Sequence, residues 1–308
     1  MSNKIKVGIT HGDINGIGYE VILKTLEDNR MLELCTPVVY GSARIANYYR
    51  KGMDMPNVPF NTIENAADAQ PEANNIINVI GEDVKIEPGV STPESGRAAF
   101  VALERAVADL KNGDIDVLVT APINKNNIQS EDFNFPGHTE YLASCAGEGN
   151  KALMVLFNDR LRVALVTTHC PIAQVASEIT TERVHDKLVQ FSESLVKDFG
   201  LSHPRVAVLA LNPHAGDGGV IGHEEENVII PAIEQAKKEG INCYGPYAAD
   251  GFFGAEQYRH FDGVLAMYHD QGLAPFKALA MDRGVNFTAG LSHVRTSPDH
   301  GTGYDITG

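Results

Sequence analysis

Short apolar segments, bounded by glycine, proline and charged residues, alternate with longer amphipathic segments along this chain. Most of the short segments are nearly continuous runs of Val, Ile, Leu and Ala, which is typical of strands covered on both faces. The alternation predicts an α/β fold with a largely parallel sheet. The predicted strands are Lys4–Thr10, Pro37–Tyr40, Ile115–Thr120, Ala152–Phe157, Arg162–Thr168, Arg205–Leu211 and Asp262–Met267.

The longer segments carry helix signals. In Glu94–Lys111 the apolar residues form one stripe along a helical face. Ser91-Thr92-Pro93-Glu94 at its start predicts a capping box with proline in the first turn, and Asn112-Gly113 predicts the stop. The other predicted helices are Gly18–Asp28, Thr181–Phe199 and Glu224–Glu239.

Length and composition exclude several classes of protein. At 308 residues the chain is long enough for two domains. Hydrophobic residues make up 43% and charged residues 21%, which excludes a disordered chain. The sequence predicts neither a membrane span nor a signal peptide. A net charge of −15 without a basic stripe disfavours nucleic-acid binding. The four isolated cysteines favour reduced thiols in a cytoplasmic protein.

Three histidines each follow the carboxyl end of a predicted apolar strand. LRVALVTTH ends at His169, RVAVLALNPH at His214 and DGVLAMYH at His269. Ligands of open α/β sheets bind outside those strand ends, and three imidazoles can hold a divalent cation while leaving coordination positions open for a substrate. The alternative is that each imidazole is simply hydrogen-bonded at a strand end.

Two loops provide further candidates. Gly12–Gly18 lies between the first strand and its helix, where glycines permit either an anion site or a plain tight turn. His138 and Thr139, beside Glu140, could hold a substrate hydroxyl or carboxylate, or Thr139 could be a helix N-cap.

Scattered polar residues complete the candidate set. Lys277 and Arg295 could neutralise a phosphate or a carboxylate, with Asn286 nearby in sequence, although each could equally be a solvated side chain. Asp13 and Asp250 lie in loop contexts and are candidates for orienting a histidine. Asp270 is another, but it directly follows His269 and is expected to point elsewhere unless the loop bends.

In this order and spacing, the motifs resemble the 4-hydroxythreonine-4-phosphate dehydrogenase family over nearly the whole chain. The first loop departs from the family's common GDPAGIGPE, since Ile14, Asn15 and Tyr19 replace Pro, Ala and Pro. Gly301–Gly308 reads like the entrance to a further element, and the family continues there with a helical tail. The resemblance is carried by GDINGIGYE (12–20), VTAPINK (119–125), FPGHTE (135–140), VTTH (166–169), LNPHAGDGG (211–219), MYHDQGLAPFK (267–277), GVNFTAGL (284–291) and VRTSPDHGTGYDITG (294–308).

The resemblance implies an isocitrate/isopropylmalate dehydrogenase-like fold, with two α/β/α domains around a cleft, in a homodimer whose active site lies at the subunit interface. We expect residues 1–125 with 276–308 to form the first domain and 126–275 the second, which would carry most of the metal site. The family's metal ligands map onto His169, His214 and His269. Its substrate contacts map onto His138, Thr139, Lys277, Asn286 and Arg295. The residues that would hold the NAD cofactor stay unassigned.

The implied reaction is the oxidation of 4-phosphooxy-L-threonine by NAD+ with a divalent metal (Zn, Co or Mg). Loss of CO2 from the product then gives 3-amino-2-oxopropyl phosphate for pyridoxal phosphate (vitamin B6) biosynthesis. Three alternatives stay open at this point. A sister dehydrogenase would act on erythronate or threonate 4-phosphate, a metal-dependent hydrolase or aldolase would need no NAD, and a ligand-binding module would show no turnover.

Overall fold

The computed structural model describes residues 4–146, 152–280 and 283–308. The chain forms two compact units, Met1–Asn150 with Leu291–Gly308, and Lys151–Gly290. The sequence-based boundaries, after residues 125 and 275, lie earlier in the chain. Both units are mixed α/β, which confirms the predicted fold class. Among the helices that the structure describes, none is both long and apolar enough to span a bilayer.

The first unit is built on a parallel sheet. Its strands are β1 (Ile5–Thr10), β2 (Cys35–Gly41), β3 (Phe60–Ile63), β4 (Asn74–Asn78), β5 (Val117–Thr120) and β12 (Val294–Pro298). They lie in the order β3-β4-β2-β1-β5-β12, and every neighbouring pair is parallel. The helices are α1 (Gly18–Leu26), α2 (Met31–Leu34), α3 (Ala43–Gly52), α4 (Pro93–Asn112) and α5 (His138–Ala146).

Helix α4 has a capping box at its start and a glycine at its end. The Thr92 hydroxyl accepts the Ser95 backbone N–H at 3.1 Å, and the Ser95 hydroxyl accepts the Thr92 backbone N–H at 3.4 Å. Pro93 is the first helical residue, and Gly113 ends the helix at a φ of 77°. A capping box is therefore present as predicted, but one residue later than the Ser91/Glu94 pattern indicates, because Thr92 is the N-cap and Ser95 is its partner.

The second unit has a mixed sheet. Its strands are β6 (Leu153–Phe157), β7 (Arg162–Leu165), β8 (Val206–Leu209), β9 (Cys243–Tyr247), β10 (Gly263–Ala266) and β11 (Val285–Ala289). In the order β11-β6-β7-β10-β8-β9, β6 is antiparallel to both of its neighbours, and β7, β10, β8 and β9 are parallel. The helices are α6 (Ile172–Glu178), α7 (Thr181–Lys197), α8 (Ile230–Lys238), α9 (Ala249–Gly254) and α10 (His269–Ala280).

Both faces of this second sheet are covered. Val206 and Val208 of β8 pack with Phe191 of α7 in one core, whereas Ala207 and Leu209 contribute to another on the opposite face. Successive residues of one strand point to opposite faces, so both sets must be apolar. This explains the continuous apolar runs from which the strands were predicted.

Several elements were missed. The elements that were not predicted from the sequence are strands β3, β4, β9, β11 and β12 and helices α2, α3, α5, α6, α9 and α10. The segment predicted as one helix over Glu224–Glu239 begins instead with a π-helical turn, Glu225–Ile229, which leads into α8. The suggested N-cap at Thr139 is wrong because α5 already begins at His138.

Candidate active site

Three histidines follow neighbouring strands at one edge of the sheet in the second unit. His169 follows β7, His214 follows β8, and His269 opens α10 directly after β10. Strands β7, β10 and β8 are adjacent and parallel, so their carboxyl ends lie side by side. This edge is where open α/β sheets bind ligands.

Two of the three imidazoles are neighbours. The ring centroids of His169 and His269 are 5.9 Å apart, with 43° between the ring planes. His169 is exposed and His269 is half-buried. The His269 Nδ1 atom lies 3.6 Å from Asp270 Oδ1. Asp270 was expected to point elsewhere unless the chain bends at this position; α10 begins at His269, and the two side chains lie close together.

The third imidazole lines a cavity at the same edge. A space of about 560 Å³ is bordered by His214, Asp250 and Asp270, with the rings of Phe253 and Tyr268 forming part of its wall. His214 is exposed. The cavity thus combines one imidazole, two carboxylates and two aromatic surfaces, which suits a small polar ligand.

A smaller cavity, of about 220 Å³, borders His169 and is also lined by Arg183 and Lys187 of α7 and by Glu178. Arg183 forms an ion pair with Glu178. The sequence analysis did not single out these cations, because nothing in a helix sequence shows which residues face a strand end.

Side-chain hydrogen bonds tie the three strand ends together. Gln271 accepts the Met267 N–H at 2.7 Å and donates to the Ala210 carbonyl at 2.6 Å, which joins the end of β10 to the end of β8. The Thr167 hydroxyl donates to the Met267 carbonyl at 2.8 Å, which joins β7 to β10. Gln271 was not singled out from the sequence, since its two hydrogen-bond partners become neighbours only in the folded chain.

His138 lies at the first turn of α5 in the first unit. Burial lowers the pKa of this imidazole well below its ordinary value, and the positive charges of Arg295 and Lys125 lower it further. Its Nε2 atom is shielded from solvent and has no hydrogen-bond partner among the residues that the structure describes. A neutral imidazole with an unsatisfied nitrogen is suited to a ligand hydrogen bond. The neighbouring Thr139 is half-buried.

Arg295 lies on β12 of the same unit and is 3% exposed. Its Nε and Nη2 atoms donate to the Thr120 hydroxyl at 3.1 and 2.6 Å. Burial lowers the pKa of Arg295 to about 10, and the Glu140 carboxylate opposes this shift. The guanidinium therefore stays charged at neutral pH, which suits the binding of an anion.

The last two expected substrate contacts belong to the second unit. Lys277 lies on α10 and is half-buried. Asn286 lies on β11, and its buried Oδ1 atom has no partner within the described ranges. A buried amide oxygen without a donor is uncommon in folded proteins.

Asp13 is engaged within the first unit. Its carboxylate accepts the Asn15 backbone N–H at 2.9 Å, the Ser95 hydroxyl at 3.0 Å, Asn127 Nδ2 at 2.7 Å and the Tyr304 hydroxyl at 2.8 Å. These four donors come from separate parts of the chain. Asp13 thus joins the loop after β1 to α4 and to the segment around Tyr304.

The donor set at the histidine edge is suited to a divalent cation. Two imidazoles that share one ion have ring centroids about 5 to 6 Å apart, which agrees with the spacing of His169 and His269. The carboxylate of Asp270 beside His269 adds a negative charge at the same edge. Within the described part of the chain, no three His, Cys, Asp or Glu side chains lie close enough together to hold a metal.

Known proteins resemble this chain over almost its full length. The 4-hydroxythreonine-4-phosphate dehydrogenase of Bacteroides thetaiotaomicron is 58% identical over 306 residues, covering 99% of this chain and 84% of that protein. The D-threonate 4-phosphate dehydrogenase of Pectobacterium atrosepticum is 36% identical over 304 residues, covering 97% and 92%. The crystal structure of 4-hydroxythreonine-4-phosphate dehydrogenase from Klebsiella pneumoniae superposes with a TM-score of 0.86 at 34% identity, covering 99% and 92%.

The fold and these relatives define the chain as a dehydrogenase, an α/β oxidoreductase. The family model for the pyridoxal phosphate biosynthetic protein PdxA matches residues 33–308. The chain belongs to this family, which confirms the resemblance read from its motifs.

Proposed function

We propose that this chain is an NAD-dependent and divalent-metal-dependent 4-hydroxythreonine-4-phosphate dehydrogenase. The observation that carries the proposal is the placement of His169, His269 and His214 after three adjacent parallel strands, with two of the imidazoles 5.9 Å apart. The 58% identity to a relative of that name supports this substrate.

The three histidines are proposed to hold the cation. The carboxylate of Asp270, whose Oδ1 atom lies 3.6 Å from His269 Nδ1, adds a negative charge beside this ligand, which favours the binding of a cation. When bound, a divalent cation supplies Lewis-acid polarisation of the hydroxyl group that is oxidised. Its identity is proposed as Zn2+ or Co2+, which imidazoles prefer, with Mg2+ as the third candidate.

The remaining residues are assigned to the substrate. In the first unit, Arg295 supplies a buried positive charge for an anionic group, and His138, with Thr139 beside it, supplies a neutral hydrogen-bonding nitrogen. In the second unit, Lys277 supplies a further cation and Asn286 an amide with an unsatisfied oxygen. We propose that the protein works as a homodimer.

NAD+ is the only oxidant that the proposed reaction needs. The secondary alcohol loses a hydride to NAD+ and a proton to solvent or a basic group, which gives a ketone and NADH. The resulting β-keto acid then breaks its bond to the carboxylate and releases CO2. The carbon left behind takes up one proton, which gives 3-amino-2-oxopropyl phosphate.

A second candidate substrate is D-threonate 4-phosphate. It is favoured by the 36% identity to a dehydrogenase of that name, and this substrate differs in lacking the amino group. The two substrates share the phosphate, the carboxylate and the oxidised hydroxyl, so the same residues would bind both.

The test is NADH formation with 4-phosphooxy-L-threonine and D-threonate 4-phosphate in parallel, each with a divalent metal and with a chelator. We expect chelator-sensitive NADH formation from the amino substrate. His169→Ala and His269→Ala should each lower the rate at least about 100-fold, whereas the exposed His260→Ala should not. NADH formation from D-threonate 4-phosphate alone would show that the second candidate is the substrate. Activity that persists in the presence of the chelator would refute the proposed dependence on a divalent metal.

A further inference from the structure

The loop that carries His214 has an unusual backbone. Five consecutive residues, from His214 to Gly218, have φ angles between 46° and 79°. Three of them, His214, Ala215 and Asp217, carry a Cβ atom. L-residues avoid this left-handed conformation because the Cβ atom crowds the backbone carbonyl, so such a run persists only when its surroundings hold it.

The carboxylate of Glu225 holds the residues that lead into this turn. Its Oε1 atom accepts the backbone N–H groups of Leu211 at 2.8 Å and of Asn212 at 2.7 Å. Its Oε2 atom accepts Asn212 Nδ2 at 3.0 Å. Glu225 is 2% exposed. Hydrogen bonds of this kind, from N–H donors to a buried carboxylate, are among the stronger ones in proteins.

The turn itself also packs against the same carboxylate. A Cβ atom on Gly216 would lie only 2.7 Å from Glu225 Oε2 and 3.2 Å from the Gly222 carbonyl. The Gly216 carbonyl accepts the Ile221 N–H at 3.0 Å, which closes the loop. Glu225 thus contacts the loop both before and within the left-handed run.

The position of Glu225 in the fold makes this contact rigid. It opens the π-helical turn Glu225–Ile229, which leads directly into α8, and Ile229 is fully buried in the core of the second unit. π-helical turns inside helices are frequent at functional sites. The loop is therefore anchored to a packed helix rather than to another loop.

We infer that Glu225 is a positioning residue for His214: it holds the left-handed loop so that the imidazole stands at the strand edge before a cation arrives. The inference rests on the proposed function, because it takes His214 as a cation ligand. A loop whose backbone is already held loses little freedom when the ion binds, whereas a loosened loop must be ordered at the expense of affinity.

The decisive variant is Glu225→Gln, which keeps the shape of the side chain. Its amide can place an NH2 group against Asn212 Nδ2, where two donors would face each other. The matched control is Glu226→Gln, since Glu226 is exposed and its carboxylate pairs with His223 at 3.3 Å rather than with Leu211 or Asn212. Zn2+ and Co2+ binding to the full chain is measured by calorimetry, and the Co2+ absorption spectrum reports the ligand geometry.

We expect Glu225→Gln to bind both ions about 10- to 100-fold more weakly and to change the Co2+ spectrum, while Glu226→Gln behaves as the wild type. Combined with His214→Ala, Glu225→Gln should cause no further loss. Wild-type affinity and spectrum in Glu225→Gln, or an equal additional loss in the double variant, would overturn the inference.

The proposed ligand set is tested separately by His214→Ala alone. Unchanged ion binding in this variant would refute His214 as a ligand, whatever Glu225 does. If Glu225→Gln does not fold, Asn212→Ala replaces it, because that change removes the side-chain N–H bonds to Glu224 and Glu225. Weaker binding in Asn212→Ala supports the inference, and wild-type binding overturns it.

Discussion

His11 is a fully buried histidine whose hydrogen bonds define its protonation state. Its Nε2 atom lies 3.0 Å from the Ala98 carbonyl, which can only accept, so Nε2 carries the proton. Its Nδ1 atom then accepts from the Tyr19 hydroxyl at 2.9 Å, and the Tyr19 oxygen accepts the Ser42 N–H at 2.8 Å. Burial lowers the pKa of His11 from 6.5 to about 4, although the Ala98 carbonyl and Asp13 oppose the shift.

This lowered pKa makes stability depend on pH with a definite sign. Between pH 6.5 and 4 the unfolded chain protonates His11 and the folded chain does not, so stability is lost as the pH falls through this window. The complete shift is worth about 3 kcal/mol. A measurement does not need the whole pH window, because lowering the pH from 7.5 to 5.5 already reduces the free energy of unfolding by about 1.3 kcal/mol.

The assay is denaturant unfolding at pH 7.5 and pH 5.5, followed by circular dichroism because the chain has no tryptophan. The change in unfolding free energy between the two pH values is compared for the wild type and His11→Asn. All other titrating groups cancel in this comparison, so the wild type should lose about 1.3 kcal/mol more than the variant. Exposed His260→Asn should keep the wild-type difference. Equal losses in the wild type and His11→Asn would refute the reasoning, as would an NMR titration of His11 near pH 6.5.

Three further outcomes follow from packing and hydrogen bonds. Thr120→Val removes the hydroxyl that accepts two N–H groups of Arg295 and should cost about 1 to 3 kcal/mol of unfolding free energy, whereas Thr120→Ser should retain it. Gly12→Ala places a Cβ atom 2.3 Å from the Pro122 carbonyl at a φ of +68°, so it should lower the melting temperature by calorimetry, and an unchanged value would contradict this contact. Phe191→Ala removes a fully buried ring and should lower the free energy of unfolding, measured with denaturant, by about 3 to 5 kcal/mol. A loss below about 1 kcal/mol would contradict this expectation.

The strands that the sequence predicted correctly are those that packing forces to be apolar on both faces, such as β7, β8 and β10. Strand β4 was missed because its sequence, NNIIN, has asparagines where an apolar run is expected. Asn75 is nevertheless fully buried, since its Nδ2 atom donates to the Pro37, Gln70 and Ala73 carbonyls. Those partners are brought together by the fold, so no local pattern could have revealed them.

The candidate site also contains residues that the sequence reveals and residues that it does not. His169, His214 and His269 could be identified because each follows an apolar strand, and strand ends are where α/β sheets bind ligands. Glu225 and Gln271 could not, because their importance lies in partners on other elements. The roles of the histidines and of the expected substrate contacts stay predictions for the experiments above.

The sequence by itself determined the α/β class, the main strands and helices, and the family, because these depend on residue periodicity and on motifs read in order. Only the tertiary structure decided that β10 lies between β7 and β8, that the His169 and His269 rings are neighbours, and that Glu225 holds a left-handed loop. The physical reason is that periodicity is a local property of the chain. Strand order and the hydrogen bonds of a buried carboxylate depend instead on contacts between residues far apart in sequence.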